Sequence, residues 1–465
     1  MLSRYRVQPI VIGVLSLAAF LAVGCSNMSN PLSASSSSQT GQTFLIGTDA
    51  PAASIVSFAV QDFSMDAIDS KGNSVPLISG SPTVDFARYN GLQALLSLNN
   101  VPVGTYSSVS ITLGPATIGY LDTSTAEPSI QTEPAALTTS TVNITLPTPL
   151  VITKTVSMGL RVDFNLFKSI ETSGGQITGK VNPTFTVTVV KPGDSGGHID
   201  ELVGGVVSVN STAQSFVLQR PNGRQFTIDT DGQTEWDNNA NLSLLIPGHS
   251  IVQISGEVDN AQATINADEV AILSQHRFYA SGQVTYVTPA SGAAKSFDLY
   301  VRGLEPTNTD VQLGTRATVV LSDSEKYFIY WMRNPMAAFL FNSSALVAGQ
   351  DVAIGGPLSD ATSPTDVGTN RVVLRPWGFT GTVVAGSVDS GNGTFQMQVN
   401  GFAGVLIPTP VTVYVAGKTD YRDGFGSFDD VTGGAKVRVV GLLLKNPTSG
   451  QLVLLARYVD DMKGE

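Results

Sequence analysis

A chain of 465 residues with 46 glycines and 24 prolines is too long for one ordinary core and is punctuated as an all-β protein is. Its 42% hydrophobic and 14% charged residues exclude wholesale disorder, because there is apolar surface to bury throughout. A formal charge of −11 with no Lys/Arg stripe excludes nucleic acid as a partner, and a single cysteine excludes an internal disulfide.

Arg4 and Arg6 precede a short apolar run, Ile10 to Val23, that ends in small residues before Cys25. The run is too short to span a bilayer and reads as the h-region of a signal peptide. The stretch LAVGC, Leu21 to Cys25, resembles the lipobox of bacterial lipoproteins. The resemblance implies that residues 1–24 are removed and that Cys25 is lipidated and anchors the chain to a membrane. Several acyl chains on one cysteine give the stable anchoring that one chain does not. Ser26 at the next position implies, by the same resemblance, sorting to the outer membrane, facing periplasm or cell surface. The other reading is an ordinary signal peptide followed by a buried structural cysteine. Residues 25–43 are Ser-rich without apolar periodicity, which predicts a flexible tether.

Between residues 44 and 190, short runs alternate with period two. Val56, Phe58 and Val60 share one face, as do Val109, Ile111 and Leu113, then Met158, Leu160, Val162 and Phe164, then Phe185, Val187 and Val189. Strands with one buried face have this pattern, so a β-sandwich is expected, with one or two helical turns in FARYNGLQALLSL. Ile46–Phe58, Val84–Leu98 and Val101–Leu113 resemble a family of bacterial envelope domains, domain of unknown function 4382. That resemblance implies a transthyretin- or immunoglobulin-like sandwich and no activity.

The second half repeats. GQTEW (Gly232 to Trp236) and GKTDY (Gly417 to Tyr421) are each followed by a glycine 24 residues after their first, Gly256 and Gly441. Between them Gly248, Val252 and Ile254 match Gly433, Val437 and Val439, and LVAGQDVAIGG (Leu346 to Gly356) is a weaker middle copy. Three units are expected, 201–275, 276–376 and 377–461, the middle one divergent through an insert that includes Glu325 to Phe341. Each opens on a glycine-led strand, at Gly204, Gly282 and Gly381, where a tight corner leaves no room for a side chain or demands positive φ. Each closes on an apolar strand. The layout resembles a second family, domain of unknown function 5666, which implies small OB-like barrels.

The segment KPGDSGGHID, Lys191 to Asp200, contains GDSGG, the surroundings of the trypsin-type nucleophile. That mechanism needs a histidine base, which in that fold precedes the serine, and here His198, His249 and His276 all follow Ser195. Residues 191–200 therefore read as a Gly-rich linker, a hinge that an added protease should cut first. The histidines lack metal-ligand spacing. The acidic loops at Asp229, Asp231, Glu235 and Asp237, and at Asp420, Asp423, Asp429 and Asp430, do not match the EF-hand spacing, though calcium stays open there. Tyr327, Tyr330, Trp331 and Trp377 are the ring candidates for stacking on polysaccharide, against a core reading, and Trp236 and Tyr421 recur as core aromatics. The expectation is a non-catalytic, lipid-anchored envelope protein with no catalytic residue, cofactor or metal. It acts as a binding or spacer module, with polysaccharide or an envelope protein as partner. A glycan-binding adhesin and a secreted hydrolase are the rivals.

Overall fold

In the computed structural model, residues 39–463 are described except 90, 125–126, 175, 222, 261–263, 277, 290, 306–310, 331–338, 357–365, 369 and 402–405. The signal segment, Cys25 and Trp331 lie outside the described residues. Strands make up 59% of the structure and helix 5%, the all-β fold that the period-two runs predict.

Order begins before the expected end of the tether at 43. Strand Thr40–Ala50 pairs antiparallel with Ala94–Pro102, Thr43 opposite Asn99 and Gln42 opposite Asn100. TGQT carries no apolar signal, but its backbone finds ladder partners, and pairing does not require hydrophobic side chains. The same strand runs parallel to Met158–Asn165, which pairs with Phe185–Val190. Against this sheet lies a second, of Thr141–Ile152, Gly104–Thr112, Ser64–Asp69 and Ser74–Pro76. Phe58, Phe86, Val109, Ile111, Leu160, Val162 and Phe164 fill one core, so the alternating residues do face inward. The helical signal after Phe86 yields one 3-10 turn, Phe86–Arg88, before the chain is taken into strand Ala94–Pro102.

Each later unit wraps five strands in the order first, second, third, fifth, fourth. In the first unit these are Ile199–Asn210, Ser215–Gln219, Gln225–Asp229, Ile251–Val258 and Thr264–Ser274, with third and fifth parallel and fourth back on first. In the third unit Trp377–Val383, Thr394–Val399, Val411–Arg422, Lys436–Lys445 and Leu452–Asp461 form a closed barrel of the same order. The middle unit repeats it with Tyr279–Thr288, Ser296–Glu305, Arg316–Val320, Asp351–Gly355 and an interrupted fifth strand, Asp366–Gly368 then Arg371–Arg375.

The repeat glycines mark where strands cross too closely for a side chain. A Cβ at Gly204, Gly282 or Gly381 would meet the carbonyl oxygen of Gln219, Tyr300 or Gln398 on the neighbouring strand. At the other end of the motif, Gly256 pairs with Ala267 and Gly441 with Ala456, and a Cβ would overlap Asn266 O or Leu455 O. The threonines of GQTEW and GKTDY fasten the same corners. Thr234 Oγ1 donates to Ala267 O and Thr419 Oγ1 to Ala456 O, both at 2.8 Å, while accepting from Asp231 N and Ala416 N at 2.9 Å. Beyond each paired alanine one residue bulges out of the ladder, Asp268 in the first barrel and Arg457 in the third.

The units are not independent beads. The first barrel continues the sandwich sheet through Glu201 opposite Ala94, and Phe44, Ile46 and Leu95 share a core with Leu218, Ile228 and Ile254. In the third barrel Leu443 and Leu454 face their own core, whereas Leu442, Leu444, Val453 and Leu455 pack into that of the middle barrel. A strand buried on both faces explains the unbroken apolar runs GLLL and LVLL.

Candidate functional site

The GDSGG segment is a packed turn and not an open linker, which corrects the reading of residues 191–200. Gly196 and Gly197 are buried, and a Cβ at Gly197 would overlap Lys191 O. Lys191 N donates to Asp194 Oδ2 (3.1 Å), Gly193 N to Glu257 Oε2 (2.8 Å) and Gly197 N to Asp194 O (2.8 Å). Glycine composition serves close backbone packing as well as it serves flexibility. Ser195 is exposed, and it is its carbonyl that is engaged, by Gln93 Nε2 at 2.9 Å.

The serine that meets a histidine is a different one. His198 Nε2 lies 3.0 Å from Ser255 Oγ, with Asp200 and Asp268 each 3.7 Å from the imidazole. These are the parts of a nucleophile, base and orienting acid. However, Ser255 is 1% exposed and is also contacted by Arg457 Nη2 at 3.5 Å. Burial, outweighing the pull of Asp200, pushes the His198 imidazole down to about 4, so it is neutral at pH 7. Ser255 thus lies inside a packing interface and does not face solvent.

His198 and Asp200 belong to a buried ionic hub where sandwich and barrels meet. Asp200 accepts from Gln93 N at 2.9 Å and Tyr458 OH at 2.8 Å, with Arg422 at 3.7 Å. Burial alone would raise this carboxyl; Arg422, His198, Arg457 and the Gln93 amide together hold it below the usual range. Arg422 also lies 3.9 Å over the Tyr458 ring. Arg457, from the third-barrel bulge, reaches Glu269 of the first barrel at 2.8 Å, beside Tyr330 of the middle one, whose ring centre is 5.7 Å away. Arg375 pairs with Glu201 at 2.8 Å and Asp351 at 3.6 Å, and Arg438 with Asp460 at 2.7 Å and the sandwich residue Asp163 at 3.3 Å. Buried charges this closely paired offset one another's desolvation, and removing one partner leaves the other uncompensated.

The ring candidates move inward. Tyr330 is 0% and Trp377 2% exposed, each boxed in by arginine, so of the two readings weighed for these rings it is the core one that they follow. Tyr327 is half-buried against Phe341. Strand register explains it. Trp236, Tyr327 and Tyr421 lie opposite Val270, Val372 and Val459, which lie opposite Ile254, Ile354 and Val439. Tyr327 is thus the middle copy of the repeat aromatic.

The acidic loops serve their own turns. Asp231 Oδ1 accepts from Gln233 N (2.8 Å) and Thr234 N (3.0 Å), and Asp430 Oδ2 from Gly426 N (2.8 Å) and Ser427 N (3.0 Å). Asp423 meets Arg161 at 3.2 Å. Among the described residues no three His, Cys, Asp or Glu groups converge as a metal site.

Two clefts border the first and middle barrels. One, of about 300 Å³, is lined by Asp237, Leu244, His276, Lys326, Phe328 and Arg371, whose guanidinium stacks 4.0 Å over Phe328. The other, of about 420 Å³, is lined by Gly205, Val206, Val207, Gln219, His249 and Glu305 among others. Neither touches Ser195, Ser255 or His198. Sequence reasoning missed the hub, although it left one signal, a lone arginine inside an otherwise apolar strand: YVRGL, VVLRP, KVRVV and LLARY.

No protein-family model matches this sequence, and no curated protein matches it.

Proposed function

We propose that this chain is a lipid-anchored, non-catalytic protein of the cell envelope, whose sandwich and three OB-like barrels form one rigid binding head. The observation that carries the reading is the ionic hub. The Ser255–His198 pair, the nearest approach to a catalytic constellation, is held in it, with the buried serine also contacted by Arg457 and with Asp200 on the same imidazole nitrogen as the serine instead of on Nδ1, where an orienting acid would sit. The shared cores favour a head over a string of spacers, since barrels that bury one another's strands cannot swing freely. Anchoring rests on LAVGC. The adhesin reading loses two of its four rings, Tyr330 and Trp377, to the interior. The five-strand order and the buried glycine corners support the OB-like reading of the three later units.

Replacing Cys25 with Ala tests the anchor. The protein is expected to leave the membrane fraction for the soluble one and to lose metabolic labelling by fatty acid. A Cys25→Ala protein that still fractionates with membranes overturns the proposal.

A further inference from the structure

The hub is buried, but the first barrel carries a cleft of its own whose polar side chains are open to solvent. About 310 Å³ in volume, within the range of small-molecule pockets, it lies where the turn after strand Ile199–Asn210 meets the end of Gln225–Asp229 and the segment leading to Ile251–Val258. Its lining includes Ser211, Gln214, Asp231, Trp236, Asn241 and Ser243. Four of these side chains have hydrogen-bonding capacity left over. Asp231 uses Oδ1 for the Gln233 and Thr234 amides, Gln214 its Nε2 for the Ser211 carbonyl, and Asn241 its Oδ1 for the amide and hydroxyl of Ser243. Those bonds also fix which end of each amide is the donor. Asp231 Oδ2, Gln214 Oε1, Asn241 Nδ2 and the indole Nε1 of Trp236 have no partner among the described residues. Asp231, Gln214 and Asn241 are exposed, and the Trp236 ring is half-buried against the first-barrel core.

Barrel closure does not account for these groups. The third barrel makes the same corner with Ala416 at the position of Asp231, since both backbone amides donate to the corner threonine. Gly426 stands where the first barrel has Asn241, each nine residues beyond the leading glycine of the motif, and Tyr421 stands where it has Trp236. The ring recurs between the two barrels, and the polar groups beside it do not.

We propose that this cleft binds a neutral saccharide through one pyranose ring, with the C–H face of the sugar on Trp236. Asp231 and Gln214 accept from its hydroxyls, and Asn241 and the indole N–H donate to them. The inference rests on the reading of the chain as a binding head and names the ligand class of that head. A pyranose supplies what this lining leaves open, because each hydroxyl both donates and accepts while the ring carries an apolar face. An anion would meet the free oxygen of Asp231, and an aliphatic ligand would leave the four polar groups without partners.

The test is titration of the purified full-length protein, in a detergent without a sugar headgroup, followed by calorimetry and tryptophan fluorescence. The probes are D-glucose, D-galactose and D-mannose, each beside its uronate and its β-linked hexasaccharide. At least one neutral sugar is expected to bind and to change the fluorescence, with its uronate roughly tenfold weaker or more. Binding of the hexasaccharide marks a glycan chain as the source and its exclusion marks a free sugar, and both support the proposal. Asp231→Asn keeps the turn acceptor but turns the free oxygen into a donor, so it should melt as the parent does and bind roughly tenfold more weakly or worse. Trp236→Tyr, which installs the third-barrel residue, should fold and lose the fluorescence change, and Tyr421→Phe should bind as the parent does. No binding of any neutral probe, a uronate that binds as tightly as its sugar, or an Asp231→Asn protein of parent affinity overturns the proposal. The Cys25→Ala protein should bind the same sugar as the parent, so the site and the anchor stand or fall separately.

Discussion

The first and third barrels close the same corner with the same atoms, and the middle barrel does not. In the outer two, a threonine hydroxyl spans from the turn to the alanine carbonyl opposite a glycine, at 2.8 Å in both. In the middle barrel the fifth strand is interrupted after Gly368, Gly356 adopts φ 154°, and its Cβ position lies 3.0 Å from Asn370 N. The matching corners differ in the residue they push out. Asp268 in the first barrel has a side chain 64% exposed, whereas Arg457 in the third is 10% exposed and reaches into the first barrel to hold Glu269. Backbone closure is what recurs between units, and the bulged position is free to become an inter-barrel contact. The middle unit gives up the threonine and glycine corner where its insert supplies Tyr330 to the same junction.

The sharpest break of this comparison is at the two bulges. Arg457→Met should cost about 3–5 kcal/mol, because Glu269 is left buried without its cation. A double variant, Arg457→Met with Glu269→Leu, should recover most of that loss. Asp268→Ala at the matching position should change stability by less than about 0.5 kcal/mol. Urea unfolding of the three variants measures this, and equal effects at the two positions would remove the asymmetry.

The glycine corners sharpen the likeness instead. Gly256→Ala and Gly441→Ala should each cost about 1–3 kcal/mol, since backbone has to move to admit the methyl. Gly417→Ala, where a Cβ meets nothing within 4 Å, should cost little. If Gly256→Ala is harmless while Gly441→Ala is not, the two barrels do not share a corner.

These corners were legible in the sequence because closure constrains backbone, and backbone constraint leaves glycines and threonines at fixed spacing: Gly232 to Gly256, Gly417 to Gly441. The period-two strands were legible for the same kind of reason, as at Val109 and Ile111, whose side chains both reach the sandwich core. What was hidden are the joins. Arg438 meets Asp163 across 275 residues and Gln93 meets Asp200 across 107, and no local pattern reports a partner so distant. Tyr327 was hidden because it lies in the stretch that reads as an insert, and only strand register aligns it with Trp236 and Tyr421. GDSGG misled in the opposite direction, because buried and exposed glycine turns have the same composition.

The smallest effects separate the two serines beside this turn. For His198 the folded pKa of about 4 lies below the 6.5 of a solvated imidazole. The unfolded chain therefore binds the proton more readily between those values. The contribution of a neutral His198 is complete above pH 6.5 and is lost as the pH falls toward 4, reaching about 2 kcal/mol by pH 5. His198→Gln should flatten this part of the melting profile, and a variant that keeps the parent slope between pH 6.5 and 5 would show that the imidazole is not buried neutral. Ser195→Ala should follow the parent at every pH, within about 0.5 kcal/mol, because only its carbonyl is held, by Gln93. Ser255→Ala, which removes the partner of His198 Nε2, should not follow it. The serine with functional-looking surroundings is thus predicted to be silent, and the one with no motif around it to matter.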